Sequence, residues 1–194
     1  MITLIDNYDS FTYNLYHYLR KKDDVIIIKN DQLSKNFNKI IKSKGVVISP
    51  GPSNPFNAGE CLEFIDKVYS FLPILGVCLG HQILGVYFGA GINVLNKPMH
   101  GKVSKINIKQ KCKLYSGIDS TFLATRYHSL VAVKKNFPDT LKITSKTCDG
   151  YIMSIEHKYL PIYGVQFHPE SILTDYGMKI IENYLNIVND DDLN

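Results

Sequence analysis

The stretch Pro73-Ile74-Leu75-Gly76-Val77-Cys78-Leu79-Gly80-His81-Gln82 constrains the fold more than any other, because the hydrophobic period changes at one residue within it. Ile74, Leu75 and Val77 read as a short buried strand, whereas Ile83, Leu84, Val86, Tyr87 and Phe88 place apolar side chains at helical spacing. Cys78 therefore lies on a strand-to-helix turn. Gly76 and Gly80 lack the Cβ atoms that would hold strand, turn and helix apart, as in the serine form of this turn. A sulfur at the first turn of a helix meets unpaired N–H groups and the positive end of the helix dipole, which favour a thiolate. A lone cysteine in an apolar run is nonetheless most often a small buried hydrophobe, so a chemical role needs a second element.

That element is Tyr163-Gly164-Val165-Gln166-Phe167-His168-Pro169-Glu170-Ser171. An apolar strand, Ile162 to Phe167, runs into a turn that offers His168 as a general base and Glu170 as a carboxylate to orient it. Spacing alone does not bring His168 to Cys78.

Taken together, Gly76-Val77-Cys78-Leu79-Gly80-His81-Gln82 and Gly164-Val165-Gln166-Phe167-His168-Pro169-Glu170 closely resemble the class I (triad) glutamine amidotransferases. The opening Ile5-Asp6-Asn7-Tyr8-Asp9-Ser10-Phe11-Thr12-Tyr13-Asn14 is similar to the subfamily serving chorismate-using synthases, the small subunits of anthranilate and aminodeoxychorismate synthases. The resemblance covers nearly the whole chain. It implies that Cys78, His168 and Glu170 are nucleophile, base and orienting carboxylate, close together in space, and that glutamine is hydrolysed through a thioester.

The resemblance also implies the binding residues. Pro50-Gly51-Pro52 would read by itself as an ordinary turn; the family places the backbone N–H groups of Gly51 and Leu79 in an oxyanion hole. Gly51, Pro52, Ser53, Leu79 and Gln82, with the backbone of Ser129 and Leu130 in Tyr127-His128-Ser129-Leu130, then surround glutamine. The family often carries glycine where this chain has Ser53. Met99-His100-Gly101-Lys102 resembles a docking segment, with an ordinary loop as the alternative. His81 and His128 are read as structural supports, and His17 and His157 as surface or satisfied histidines. No cofactor is expected in this chain. The implied partner is a chorismate-binding synthase subunit, in a heterodimer or heterotetramer, with Mg²⁺ on the synthase.

In chain order, Met1 to Ile5, Val25 to Ile28 and Val46 to Ile48 are apolar strands alternating with helices around Leu15 and Leu19, around Phe37, Ile40 and Ile41, and around Cys61 to Val68. Such alternation implies an open, mostly parallel sheet flanked by helices, with ligands at the strand C-terminal ends. After Gly91, Ile92 to Leu95, Val103 to Ile108, Phe122 to Val133, Leu141 to Thr144 and Tyr151 to Glu156 read as strands without helices between them, a smaller mixed or antiparallel extension. A helix around Met178, Ile180, Ile181 and Leu185 closes the chain before an acidic end, Asp190-Asp191-Asp192, expected to fray.

A length of 194 residues with 45% hydrophobic content suits one domain, 1–194. The net charge of +4 comes from scattered lysines, which argues against nucleic acid. The four cysteines lack paired metal-ligand spacing and suggest a reducing compartment. No signal-peptide pattern opens the chain and no apolar run approaches the ~18 residues of a spanning helix, so a soluble protein of the cytoplasm, or of the plastid stroma if plastid-encoded, is expected. The competing classes are the same chemistry serving folate synthesis, and a non-catalytic α/β binding module.

Overall fold

Residues 1–95 and 97–190 are described by the structure, a computed structural model. The first half alternates β1 (Ile2–Asp6), α1 (Thr12–Arg20), β2 (Val25–Lys29), α2 (Phe37–Ile40), β3 (Gly45–Ile48), α3 (Cys61–Val68), β4 (Ile74–Val77) and α4 (Leu79–Tyr87). The second half runs β5 (Ile92–Val94), β6 (Lys102–Ile108), β7 (Thr121–Arg126), β8 (Leu130–Ala132), β9 (Leu141–Thr147), β10 (Ile152–His157), β11 (Ile162–Val165) and α5 (Gly177–Val188). Nine strands form one sheet in the order β2-β1-β3-β4-β11-β10-β9-β6-β7. From β2 to β11 every pairing is parallel, and from β11 to β7 every pairing is antiparallel. The expected extension is thus continuous with the parallel sheet.

Strands β3, β4 and β11 are buried at every position, as parallel strands covered on both faces must be. Alternation divides their side chains between two cores. Leu4, Val47, Leu75 and Val77 pack with Leu15 and Leu19 of α1 and with Ile180, Ile181 and Tyr184 of α5. Ile5, Val46, Ile48 and Ile74 pack on the other face with Phe64, Ile65 and Val68 of α3 and Ile83 and Leu84 of α4. The chain order reverses about β1, which lies between β2 and β3. Turns leaving the C-terminal ends of β1, β3, β4 and β11 therefore open on one edge, where an open α/β sheet binds its ligands.

The antiparallel half curls back towards that edge. β7 is the last strand of the sheet, yet Thr125 on it accepts the His168 backbone N–H at 3.0 Å, and Leu123 accepts that of Asp175 at 2.8 Å. The continuous strand expected over Phe122 to Val133 is broken here. β7 ends at Arg126, paired with Lys102, after which the His128 and Ser129 carbonyls accept the N–H groups of Met99 and Leu95. Those bonds carry the chain out of the sheet and onto β5, with which β8 forms a separate two-stranded ribbon. The strand expected to run to Phe167 ends at Val165, leaving Gln166 and Phe167 to lead into the His168 turn. Of the expected acidic tail, Asp191 and Asp192 lie outside the described residues; Asp190 pairs with Lys113 at 3.4 Å. Among the described residues, no helix is long and apolar enough to cross a membrane.

Candidate functional site

The turn after β4 is tight for the reason its glycines suggest. A Cβ on Gly76 would strike the Gly80 backbone, and one on Gly80 would strike the Ile48 carbonyl. With neither present, the start of α4 sits directly on β3 and β4. Between them, Cys78 adopts φ 53° and ψ −98°, a positive-φ conformation that costs a non-glycine residue about 1–3 kcal/mol. Its backbone N–H donates to Val165 O at 2.8 Å and its carbonyl accepts from Gln82 N at 3.1 Å, so β11 and α4 both hold the strained residue.

Cys78 opens onto a cavity of about 170 Å³ lined by Gly51, Pro52, Ser53, Leu79, Gln82, Tyr127, His128, Ser129 and Leu130. Every glutamine-binding residue expected from the sequence lines it. Its volume falls below the ~300–1,000 Å³ of pockets for drug-sized ligands, as an amino-acid site would. Leu79, the first residue of α4, has a backbone N–H with no acceptor inside its own helix. Gly51 comes from the turn after β3, and a Cβ there would lie 2.6 Å from Asn7 Cβ and 2.7 Å from Leu79 Cδ2. Asn7, from the turn after β1, fixes this arrangement by donating its Nδ2–H to Ser49 O at 2.8 Å and its backbone N–H to Ser49 Oγ at 2.9 Å.

His168 lies beside the Cys78 sulfur with Glu170 on its ring, the two buried at 2% and 3% exposure. Their Nδ1 and Oε1 are 2.6 Å apart. Burial is the largest single influence and opposes a charge on His168, but the neighbouring Cys78 sulfur and the Glu170 carboxylate together outweigh it and hold the imidazole pKa well above its ordinary value. The His168 turn is fixed from β7: Thr125 O accepts from His168 N, and Thr125 N donates at 3.0 Å to Thr174 Oγ1, which donates to His168 O at 2.7 Å. Rings of Phe11 and Tyr127 stand edge-on to His168, at centroid distances of 5.4 and 5.1 Å. Burial instead pushes the Cys61 and Cys112 thiols up to about 12, and Cys148 is exposed. Cys78 alone among the four lines this cavity.

The far wall rests on His128, in the supporting role read from the sequence, and on Arg126, which sequence reasoning did not single out. His128 Nδ1 is 2.7 Å from Leu130 O, and its Nε2 accepts from Arg126 Nε at 3.0 Å. Since Nε2 must accept, Nδ1 carries the proton and donates to Leu130. Burial and the Arg126 charge together lower the His128 pKa to about 3, so this neutral tautomer persists. Leu130 O also accepts from Gln82 Nε2 at 3.0 Å. Arg126 is 2% exposed and donates to Ser104 Oγ at 3.2 Å. Its position in the middle of an apolar strand pattern was the available signal. Asn7 and Phe11 were legible only as part of the opening segment, with no role attached.

Met99 and His100 do not line the cavity. Met99 N donates to His128 O at 3.0 Å, and the exposed His100 ring meets Tyr127 at 5.7 Å. His81 packs on Gly164, where a Cβ would lie 2.8 Å from its Nδ1, and burial lowers its pKa to about 4. His157 is satisfied by the backbone N–H groups of Tyr159 and Leu160.

Known proteins are similar to this chain over nearly its whole length. Anthranilate synthase component 2 of Azospirillum brasilense is 46% identical over 188 residues, covering 96% of this chain and 95% of that one. The aminodeoxychorismate/anthranilate synthase component 2 of Bacillus subtilis (strain 168) is 42% identical over 186 residues, 95% of each. A putative GMP synthase subunit from Thermoplasma acidophilum superposes with a TM-score of 0.85 at 28% identity, over 97% of this chain and 93% of that one. The family model for Glutamine amidotransferase class-I matches residues 3–188, and the chain belongs to that family.

Proposed function

We propose that residues 1–194 form a single glutamine amidotransferase domain, the ammonia-producing subunit of an anthranilate synthase. The observation that carries this reading is the small cavity with Cys78 at one wall, main-chain segments 51–53 and 129–130 around it, and the buried His168–Glu170 pair at the sulfur. Cys78 Sγ attacks the side-chain amide carbon of glutamine. The carbonyl oxygen takes up the charge, held by the N–H groups of Gly51 and Leu79. The C–N bond then breaks as His168 gives its proton to nitrogen, and ammonia leaves a glutamyl thioester. Water adds to the thioester with its proton taken by His168, the C–S bond breaks with its electron pair returning to sulfur, and glutamate leaves. Glu170 holds the imidazole in its working tautomer and stabilises the imidazolium. Edge-on Phe11 and Tyr127 keep bulk water from that ion pair.

The hydrolysis uses no cofactor of this chain. Ammonia passes to a chorismate-binding synthase subunit in a heterodimer or heterotetramer, with Mg²⁺ on the synthase. Met99 and His100 dock that partner, a reading supported by their contacts to His128 and Tyr127 on the cavity wall. Four free cysteines suit a reducing compartment, cytoplasm or plastid stroma. The name of the Bacillus subtilis relative, which includes aminodeoxychorismate, favours one further reading, in which the same ammonia serves folate synthesis.

Cys78→Ala tests the chemistry. It should abolish glutamine-dependent product formation by the complex while leaving ammonia-dependent formation intact; full glutamine activity in the variant would overturn the assignment. The aromatic product made by the synthase that co-purifies with the chain separates the two acceptor readings.

A further inference from the structure

Gln166 is fully buried at the C-terminal end of β11, between the cavity and the His168 turn. Its backbone N–H is bound to Met153 O at 2.8 Å. The Gln166 side chain has two partners, and they fix which way its amide points. Gln82 must turn its Nε2 towards Leu130 O, because a carbonyl only accepts. The same Nε2 lies 3.0 Å from Gln166 Oε1, so its second N–H is donated there. That leaves Gln166 Nε2 facing Cys78 Sγ, at 3.6 Å. Neither amide can flip without setting N–H against N–H or carbonyl against carbonyl. A directed row of hydrogen bonds therefore runs from the reacting sulfur through Gln166 and Gln82 to the Leu130 carbonyl of the cavity wall.

We propose that Gln166 is a second donor to the Cys78 sulfur, which, with His168, stabilises the negative charge the sulfur carries during the reaction and, through Gln82, holds the sulfur in register with the Leu130 wall. This deepens the reading of Cys78 as nucleophile and rests on it. The physical case is one of sites and donors. The Cys78 sulfur is 6% exposed, so water gives little solvation to the negative charge it carries as nucleophile and as leaving group. His168 supplies a charge on one side, and a neutral amide N–H supplies a fixed dipole that keeps its place while the imidazole takes and gives protons. The same N–H binds sulfur weakly once it is bonded to carbon in the thioester, and strongly again when the thiolate is expelled. The donor thus assists the second half of the turnover as well as the first.

The test reads the sulfur without glutamine. Iodoacetamide alkylation of Cys78 is followed against pH by peptide mass in a Cys148→Ser background, for Gln166, Gln166→Leu and Gln166→Glu. Loss of a hydrogen bond to a charged sulfur should move the alkylation midpoint up by about one pH unit in Gln166→Leu, with roughly tenfold slower alkylation below it. Gln166→Glu, which sets a carboxylate against the thiolate, should move it further in the same direction. An unchanged midpoint in both folded variants overturns the proposal. Should either variant fail to fold, ¹⁵N labelling of the Gln side chains in otherwise unaltered protein provides an independent reading. The Gln166 Nε2 protons should shift with the same midpoint as Cys78 alkylation, and flat resonances through it would equally overturn the proposal. Ammonia release in Cys78→Ala keeps the two levels apart: survival of glutamine hydrolysis there defeats the nucleophile assignment, whereas a dead Cys78→Ala with an unmoved Gln166→Leu midpoint defeats only the role of Gln166.

Discussion

Cys78, Leu79 and Gly51 reach the cavity from turns that directly follow β3 and β4, whereas Tyr127, Ser129 and Leu130 reach it because the antiparallel strands curl back over the sheet edge. The two halves of the sheet make their contributions by different means. In the parallel half, position comes from backbone packed on backbone, with Gly76 and Gly80 as the points of closest approach. In the antiparallel half it comes from side-chain hydrogen bonds, Arg126 to His128 to Leu130 and Thr174 to His168. Backbone packing tolerates almost no added atom. Hydrogen-bonded side chains can be removed singly, with loss of alignment and little loss of fold.

The largest effect should therefore fall on the glycines. Gly80→Ala puts a methyl against the Ile48 carbonyl, a collision of fixed backbone with fixed backbone, so the cost belongs at the upper end for overpacking, about 3 kcal/mol or more. For a chain of this size that is a fall in Tm of roughly 6–12 °C. A thermal melt within about 2 °C of the unaltered protein would show that the two layers can slide apart, and the contrast between the halves would fail.

That difference also decides what was legible in the sequence. The period change at Cys78, the alternation of the first half and the glycines flanking the turn are local patterns, and each was readable from neighbouring residues. The triad and the glutamine-binding residues came from the resemblance; the cavity gathers Cys78 with the glutamine-binding residues, while His168 and Glu170 are outside its lining. The break between β7 and β8 was not readable, because no glycine or proline in Tyr127 to Leu130 marks a turn before the apolar run resumes. They leave the sheet only through bonds to Leu95 and Met99, partners distant in sequence. Gln166 and Arg126 were hidden for the same reason: a polar side chain inside a strand declares its burial but not its partner.

Buried histidines carry the comparison into pH. His81, on the face of α4 that packs against Gly164 of β11, has its pKa lowered to about 4, so the unfolded chain takes up its proton first and stability falls as pH drops from about 6.5 towards about 4. The full contribution is about 3 kcal/mol. His168 has the opposite sign. Its raised pKa gives stability that is complete below about 6.5 and is lost as pH rises through the folded value. Denaturant titrations from pH 4 to 10 should show a shallower acid limb in His81→Gln and the loss of an alkaline limb in His168→Gln. Interchange of these two patterns would mean that the partner groups around one ring are wrongly identified.

On the antiparallel side the effect should be on binding. Arg126→Met leaves His128 Nε2 without its donor and frees the imidazole to turn from Leu130 O. Loss of one hydrogen bond from a charged group corresponds to about a tenfold rise in KM for glutamine, with kcat within about twofold, since the sulfur and His168 are untouched. A fall in kcat at constant KM would place Arg126 on the side of the chemistry and remove its link to the wall.

The smallest effect tests how much of the parallel half is rigid. Ser53, in the turn after β3, has φ 72°, positive like that of Cys78, but it is exposed and hemmed in by no glycine contact. Its side chain makes one long contact, accepting from Asn57 Nδ2 at 3.5 Å. This positive φ explains why glycine suits the position. Ser53→Gly removes roughly 1 kcal/mol of backbone strain and adds about 0.5–1 kcal/mol of unfolded-chain entropy, so the gain should be below about 1 kcal/mol. Ser53→Val adds a branched side chain at the same φ and should lose stability. The expected order of Tm is glycine, then serine, then valine, with glutaminase rates of the glycine variant within about twofold because the Gly51 amide is held by Asn7 and Leu79 rather than by Ser53. If valine melts at or above serine, the turn has relaxed out of the left-handed region. Gly51 would then be positioned by a mobile loop, and the rigid presentation argued for the parallel half would stop at the end of β3.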